Sequence, residues 1–176
     1  LAVSADGRLY VTDTGNKRIE VFDLEGRFLF EWGGPGIAEG FLDEPVGIAI
    51  GPGLGCGEAG CIYVADTWNQ RIQVFDLEGR YLRQWPIAGW QDESIENKPY
   101  LAVDRQGIVY VTDPGNYRIL VFDSVGSYLY SFGQYGFDER SFAWPAAVAV
   151  GPDGALYVTD AHAGRVLVFD VSLPGG

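Results

Sequence analysis

The sequence contains no methionine, a single histidine (His162) and only two cysteines (Cys56 and Cys61) among 176 residues. One histidine cannot furnish a polyhistidine metal centre, and two cysteines fall short of the four N or S ligands that a structural zinc site ordinarily uses. Basic residues are scarce as well: 12 Lys and Arg stand against 24 Asp and Glu, a formal charge of −12. A nucleic-acid surface must offset phosphate with clustered Lys and Arg, and anionic membranes repel the same acidic charge. Neither is expected as a partner. No apolar run approaches the roughly 20 residues needed to span a bilayer, so no direct membrane insertion is expected. There is no Gly-x-Ser-x-Gly, His-x-x-x-His, phosphate loop or Cys-x-x-Cys, and hence no expected cofactor, metal or catalytic set. No charged-then-apolar leader opens the sequence, and its first residues read as a strand, which suggests a piece of a longer polypeptide.

Against these shortages stands a repetition. "YVTDTGNKRIEVFDLEG" from Tyr10 returns as "YVADTWNQRIQVFDLEG" from Tyr63, "YVTDPGNYRILVFDSVG" from Tyr110 and "YVTDAHAGRVLVFDVSL" from Tyr157. Aligning the tyrosines divides one β-rich unit, residues 1–176, into repeats of about 1–47, 48–100, 101–147 and 148–176. The spacing is 47 residues twice and 53 once. The extra length falls in "GPGLGCGEAGCIY", the counterpart of "SADGRLY" in the first repeat.

Within a repeat, apolar residues alternate with period two between turn signals such as Asp-Gly and Glu-Gly. The first repeat reads as four strands, "LAV", "RLYVTD", "RIEVFD" and "RFLFEW", and each unit as a four-stranded antiparallel meander. The first strand centres on Ala2, Ala49, Ala102 and Ala149, while the fourth ends in Trp32, Trp85 or Phe132. Narrow inner and wide outer strands make a wedge, and wedges set around an axis make an all-β fold, the β-propeller.

These units resemble NHL repeats, whose pattern is similar to "YVADTWNQRIQVFDLEG", and the resemblance recurs in register over almost the whole chain. It implies propeller blades that serve as ligand- or protein-binding platforms, commonly six to a wheel, with fewer enzymes among them. The fourth copy departs from the pattern: Ala163 stands where the others have Asn16, Asn69 and Asn116, and no outer strand follows Asp170. With blades of about 60° each, four fall short of a full turn. The expectation is therefore a partial propeller completed by further blades of the same propeller, a protein partner or a homo-oligomer.

Four acids stand five residues before an arginine across a hairpin turn: Asp13 and Arg18, Asp66 and Arg71, Asp113 and Arg118, Asp160 and Arg165. A residue repeated in every blade is expected to build blades, with the carboxylate bridging its turn. A carboxylate ring for a metal is the alternative. Asp23, Asp76, Asp123 and Asp170 are read as turn residues on the same ground.

Function is sought where the copies differ. The turn after each repeated acid shares a face with the aromatic connections "GGPGIAEGFLDEP", "PIAGWQDESIENKP" and "GQYGFDERSFAWP". That makes Trp68, Trp90, Tyr117, Tyr135, Trp144 and His162 candidates for a binding face. The alternative is that Trp144 and residues such as Phe41 plug gaps between blades. Cys56 and Cys61 share the lengthened turn and are expected to form a local disulfide, with free thiols as the alternative. Such a bond needs an oxidising compartment, which points to an extracytoplasmic location, periplasmic, cell-surface or secreted, either free or on a membrane-anchored parent. The resulting reading is a non-enzymatic interaction or scaffold module. The alternative is a fragment of a propeller hydrolase or lyase whose catalytic residues lie mostly outside this chain, since the amidating lyase on an NHL-like propeller draws on several histidines.

Overall fold

Short alternating segments separated by tight turns give fifteen strands and no α-helix among the residues described by the computed structural model, which are 1–87, 90 and 98–171. Most of the connection between the second and third repeats, and residues 172–176 of the fourth, fall outside that set. The first repeat forms β1 (Ala2–Val3), β2 (Arg8–Asp13), β3 (Arg18–Asp23) and β4 (Phe28–Gly33). The second forms β5 (Pro45–Gly51), β6 (Cys61–Asp66), β7 (Arg71–Phe75) and β8 (Tyr81–Pro86). The third forms β9 (Leu101–Val103), β10 (Val109–Asp113), β11 (Arg118–Phe122) and β12 (Tyr128–Phe132). The fourth contributes β13 (Pro145–Val150), β14 (Leu156–Asp160) and β15 (Arg165–Phe169). Each sheet pairs its strands in chain order, four, four, four and three, all antiparallel. This is a blade-by-blade β-propeller arrangement whose fourth blade has three strands among the described residues.

Alternate side chains of the middle strands face opposite neighbours. Tyr10, Ile19 and Val21 of the first blade share a core with Ile62, Val64 and Phe75 of the second. Tyr63, Ile72 and Val74 then join Val109, Val111 and Phe122 of the third. Tyr110, Ile119 and Val121 join Leu156 and Val158 of the fourth. The same three-residue set on the fourth blade, Tyr157, Val166 and Val168, is 37%, 56% and 57% exposed. At the other end Leu1 and Val3 are exposed on the first blade. Among the described residues three blade-to-blade interfaces are closed, and Leu1 and Val3 on the first blade and Tyr157, Val166 and Val168 on the fourth are exposed.

The hairpin between the second and third strands turns through a left-handed residue: Lys17, Gln70 and Tyr117 have φ of 58°, 52° and 57°. Such a conformation is uncommon for a residue with a Cβ. In these three blades the preceding Asn donates to the repeated acid, from Asn16 to Asp13 at 2.8 Å, Asn69 to Asp66 at 2.9 Å and Asn116 to Asp113 at 3.1 Å. The fourth copy has Ala163 in place of that asparagine and puts Gly164, φ 62°, at the left-handed position. Losing the side-chain anchor and relieving the backbone with glycine are therefore one change.

The second acidic set caps the next hairpin. Asp23 Oδ1 accepts from the amides of Glu25 and Arg27, Asp76 Oδ1 from Glu78 and Arg80, and Asp123 Oδ1 from Val125 and Ser127. At Asp23 the Arg27 amide is the main cause holding the carboxyl below its usual range. At Asp76 and Asp123 burial is the largest single influence and pushes the other way, but the turn amides, together with the Arg80 guanidinium at Asp76 and the Ser127 hydroxyl at Asp123, still bring the carboxyl below its usual range.

Cys56 and Cys61 are joined by a disulfide that closes the lengthened turn before β6. Thiol titration of the denatured, unreduced protein is expected to find no free thiol. Closing so short a loop contributes about 2 kcal/mol in the loop-entropy picture, so reduction should loosen this turn and leave the sheets paired.

Candidate functional site: the turn and loop face

Four repeated ion pairs form the frame of this face. Asp13 and Arg18 meet at 2.9 Å, Asp66 and Arg71 at 2.7 Å, Asp113 and Arg118 at 2.7 Å, Asp160 and Arg165 at 3.1 Å. Their surroundings differ. Asp66 and Asp160 are fully buried, whereas Asp13 and Arg18 are both partly open. Asp13 is held below the usual carboxylate range chiefly by the Asn16 side-chain amide; burial opposes this, and Arg18 adds to the lowering.

The arginines paired with the two fully buried acids reach backwards along the chain. Arg71 donates to the carbonyls of Ile37, Ala38 and Phe41, and Arg165 to those of Phe137, Asp138 and Ser141, the same three places in two connections. The acids complete the clamp: Asp66 Oδ1 accepts the Asp43 amide, and Asp160 Oδ1 accepts those of Ala143 and Trp144. Gln73 Nε2 adds a bond to the Phe41 carbonyl and one to Asp66. The connection into the second blade and the connection into the fourth are thus each tied down by the blade that follows.

Clamped backbone fixes where side chains point. The carbonyls of Ile37 and Phe137 turn toward the guanidinium, while their side chains stand in solvent, Phe137 at 63% exposure. Leu42 and Phe142 point inward, fully buried, and fill the gaps between blades. Phe41 is exposed and does not act as the plug.

The sequence-derived candidates fall into separate groups. Trp68 is 53% exposed with Lys17 Nζ 5.9 Å from its ring centroid, and Lys17 is held by Asp43 at 2.7 Å. Tyr117 and Tyr135 meet edge-on at 5.0 Å, and Tyr135 meets Phe137 edge-on at 6.0 Å. Trp144 and His162 stack at 4.9 Å. Trp90 is buried in the core between the second and third blades and offers a partner no surface. Sequence reading had passed over Ile37 and Phe137. Their signal is positional, since each stands four residues beyond the glycine that follows an outer-strand aromatic, Gly33 or Gly133.

Charge on the face is local. The Arg140 amide, with the Ser141 hydroxyl, keeps the Asp138 carboxyl ionised below its usual range, and Lys98 pairs with Glu44 at 2.6 Å. Among the described residues no group of three or more His, Cys, Asp or Glu side chains converges as metal ligands would. No helix there is long and apolar enough to cross a membrane.

Comparison with known proteins agrees with this architecture. The NHL repeat signature matches residues 1–22 and 142–169. The chain is 30% identical over 107 residues, 58% of its length, to Protein brain tumor of Drosophila melanogaster, and 32% identical over 102 residues, 53% of its length, to human NHL repeat-containing protein 2. It spans only 10% and 13% of those relatives. Among solved structures, virginiamycin B lyase from Staphylococcus aureus aligns over 98% of this chain and 55% of its own, with a TM-score of 0.65 at 18% identity, a likeness of fold. The chain is thus similar to NHL-repeat proteins, with the NHL repeat signature at residues 1–22 and 142–169, and its sheets are β-propeller blades.

Proposed function

We propose that the chain is a non-catalytic protein-interaction module that presents the turn and loop face to a protein partner. The observation that carries this reading is the division of labour on that face. The recurring polar residues are spent on clamping backbone, while Ile37, Trp68, Tyr135 and Phe137 are displayed on the clamped segments. Aromatic side chains on rigid backbone lose little conformational freedom when covered, which is why they anchor interfaces. The Cys56–Cys61 disulfide supports an extracytoplasmic setting for this module.

The test separates surface from stability. Protein partners captured by the immobilised chain should be lost with the double variant Trp68→Ala, Tyr135→Ala at an unchanged melting temperature. They should be retained by Leu24→Ala, Val125→Ala, which alters exposed residues in turns at the opposite ends of the strands. Capture that survives the first variant and fails with the second overturns the assignment.

A further inference from the structure

Two connections on the loop face share one backbone and carry different side chains. Residues 33–45 and 133–145 run in step, with the same isolated bridge, Pro35 to Leu42 and Tyr135 to Phe142, and the same arginine clamp. Pro35, Ile37 and Ala38 of the first stand where the second has Tyr135, Phe137 and Asp138. Ile37 is 82% exposed although the second blade has all four of its strands. Exposure at this place therefore belongs to the clamped loop, and Phe137 shares it.

The first copy already holds a cation of its own. Lys17 crosses the seam from the first blade, its ammonium 2.7 Å from Asp43 and 5.9 Å from the ring centroid of Trp68. In the second copy Tyr117 takes the place of that lysine, and residues 114–117 bring in no positive charge. Rings gather there instead. Tyr135 lies edge-on to Tyr117 at 69° and to Phe137 at 77°, so that the exposed Tyr135 and Phe137 form the two walls of a corner. Ala143 replaces Asp43, and the acid beside the rings is Asp138. Its Oδ1 accepts the Arg140 amide and the Ser141 hydroxyl, each at 2.8 Å, and among the described residues its Oδ2 has no donor. That oxygen lies 3.9 Å from where a Cβ on Gly136 would be, in the loop between the two exposed rings.

We propose that Tyr135, Phe137 and Asp138, backed by Tyr117, hold an arginine side chain of a basic protein segment. This rests on the loop face being the one presented, and it gives the partner there a chemistry. A guanidinium stacks on aromatic faces and also offers paired donors to a carboxylate, so one group satisfies both features of the corner. The formal charge of −12 on the chain draws a basic partner toward it. The ion pair and ring contact that Lys17 makes within the first seam are then made between molecules at the third.

The probe is a labelled peptide, GSRGRSG, paired with a control in which neutral citrulline replaces both arginines. By fluorescence anisotropy with the full chain, the arginine peptide should bind about tenfold more tightly than the citrulline peptide. Tyr135→Ala, Phe137→Ala should erase that difference at an unchanged melting temperature, because both rings already stand in solvent. Asp138→Asn keeps an oxygen for the Arg140 amide and should still reduce the difference severalfold. Glu25→Gln makes the same change of charge on an exposed turn at the other end of the strands and should leave it intact. Equal binding of the two peptides overturns the proposal. So does equal weakening by Glu25→Gln and Asp138→Asn, which marks attraction to net charge alone. If protein capture is lost with Trp68→Ala, Tyr135→Ala while the two peptides bind alike, the loop face stands and the arginine site alone falls.

Discussion

Asp66→Ala is expected to destabilise the protein by about 3–5 kcal/mol, the range for removing one partner of a buried ion pair. The carboxylate is fully buried and accepts from Arg71, Asn69, Gln73 and the Asp43 amide. Without it the guanidinium keeps its carbonyl bonds but loses its counter-charge, and the amide of Asp43 is left to find water. The internal control is Asp13→Ala, the same change in the same sequence setting, where both partners are partly open and Arg18 also holds Glu20 and Glu31. A several-fold smaller loss is expected there. Urea unfolding of both variants gives the comparison directly through the shift in midpoint at constant slope. Equal losses would mean that the turn itself, and not its burial, sets the value of the pair.

The second large effect uses the repeated tyrosine. Tyr63→Ala should cost about 3–5 kcal/mol, as for other large buried aromatics, because its ring lies in the core between the second and third blades, edge-on to Trp85, and its hydroxyl donates to the Pro52 carbonyl at 2.8 Å. Burial is the main cause that raises its ionisation to about 12, so the ring stays neutral throughout ordinary buffers. Tyr157→Ala removes the equivalent side chain from an open surface and should cost no more than about 1 kcal/mol. Thermal unfolding of the pair measures the gap. A large loss at Tyr157 would show that its surface is already covered in solution.

Much of the fold was legible because the sequence repeats a strand pattern with its turn chemistry attached. Tyr-x-x-Asp, the left-handed turn and Arg-x-x-Val-Phe-Asp recur at the same spacing, and the alanine-to-tryptophan gradient orders the strands. The pairing of Asp66 with Arg71 across its turn followed from that spacing. That the same arginine also holds Ile37, Ala38 and Phe41, some 30 residues earlier, did not, because backbone carbonyls leave no trace in residue identity. The same blindness hid Ile37 and Phe137, whose exposure depends on a carbonyl turned the other way. It also placed Trp90 on the surface: an aromatic in a loop reads alike whether it faces a partner or fills the seam between two blades.

The arginine clamps have a direction. Arg71 grips a connection that precedes it, and Arg165 does likewise, so a connection cannot be secured until the strand after it exists. During synthesis from the N-terminus, the first and third blades would leave the ribosome with their trailing segments loose and their Tyr, Ile and Val surfaces bare, to be locked only when the third strand of the next blade emerges. Assembly is then vectorial at these two seams, with the second and fourth blades acting as latches for the ones made before them.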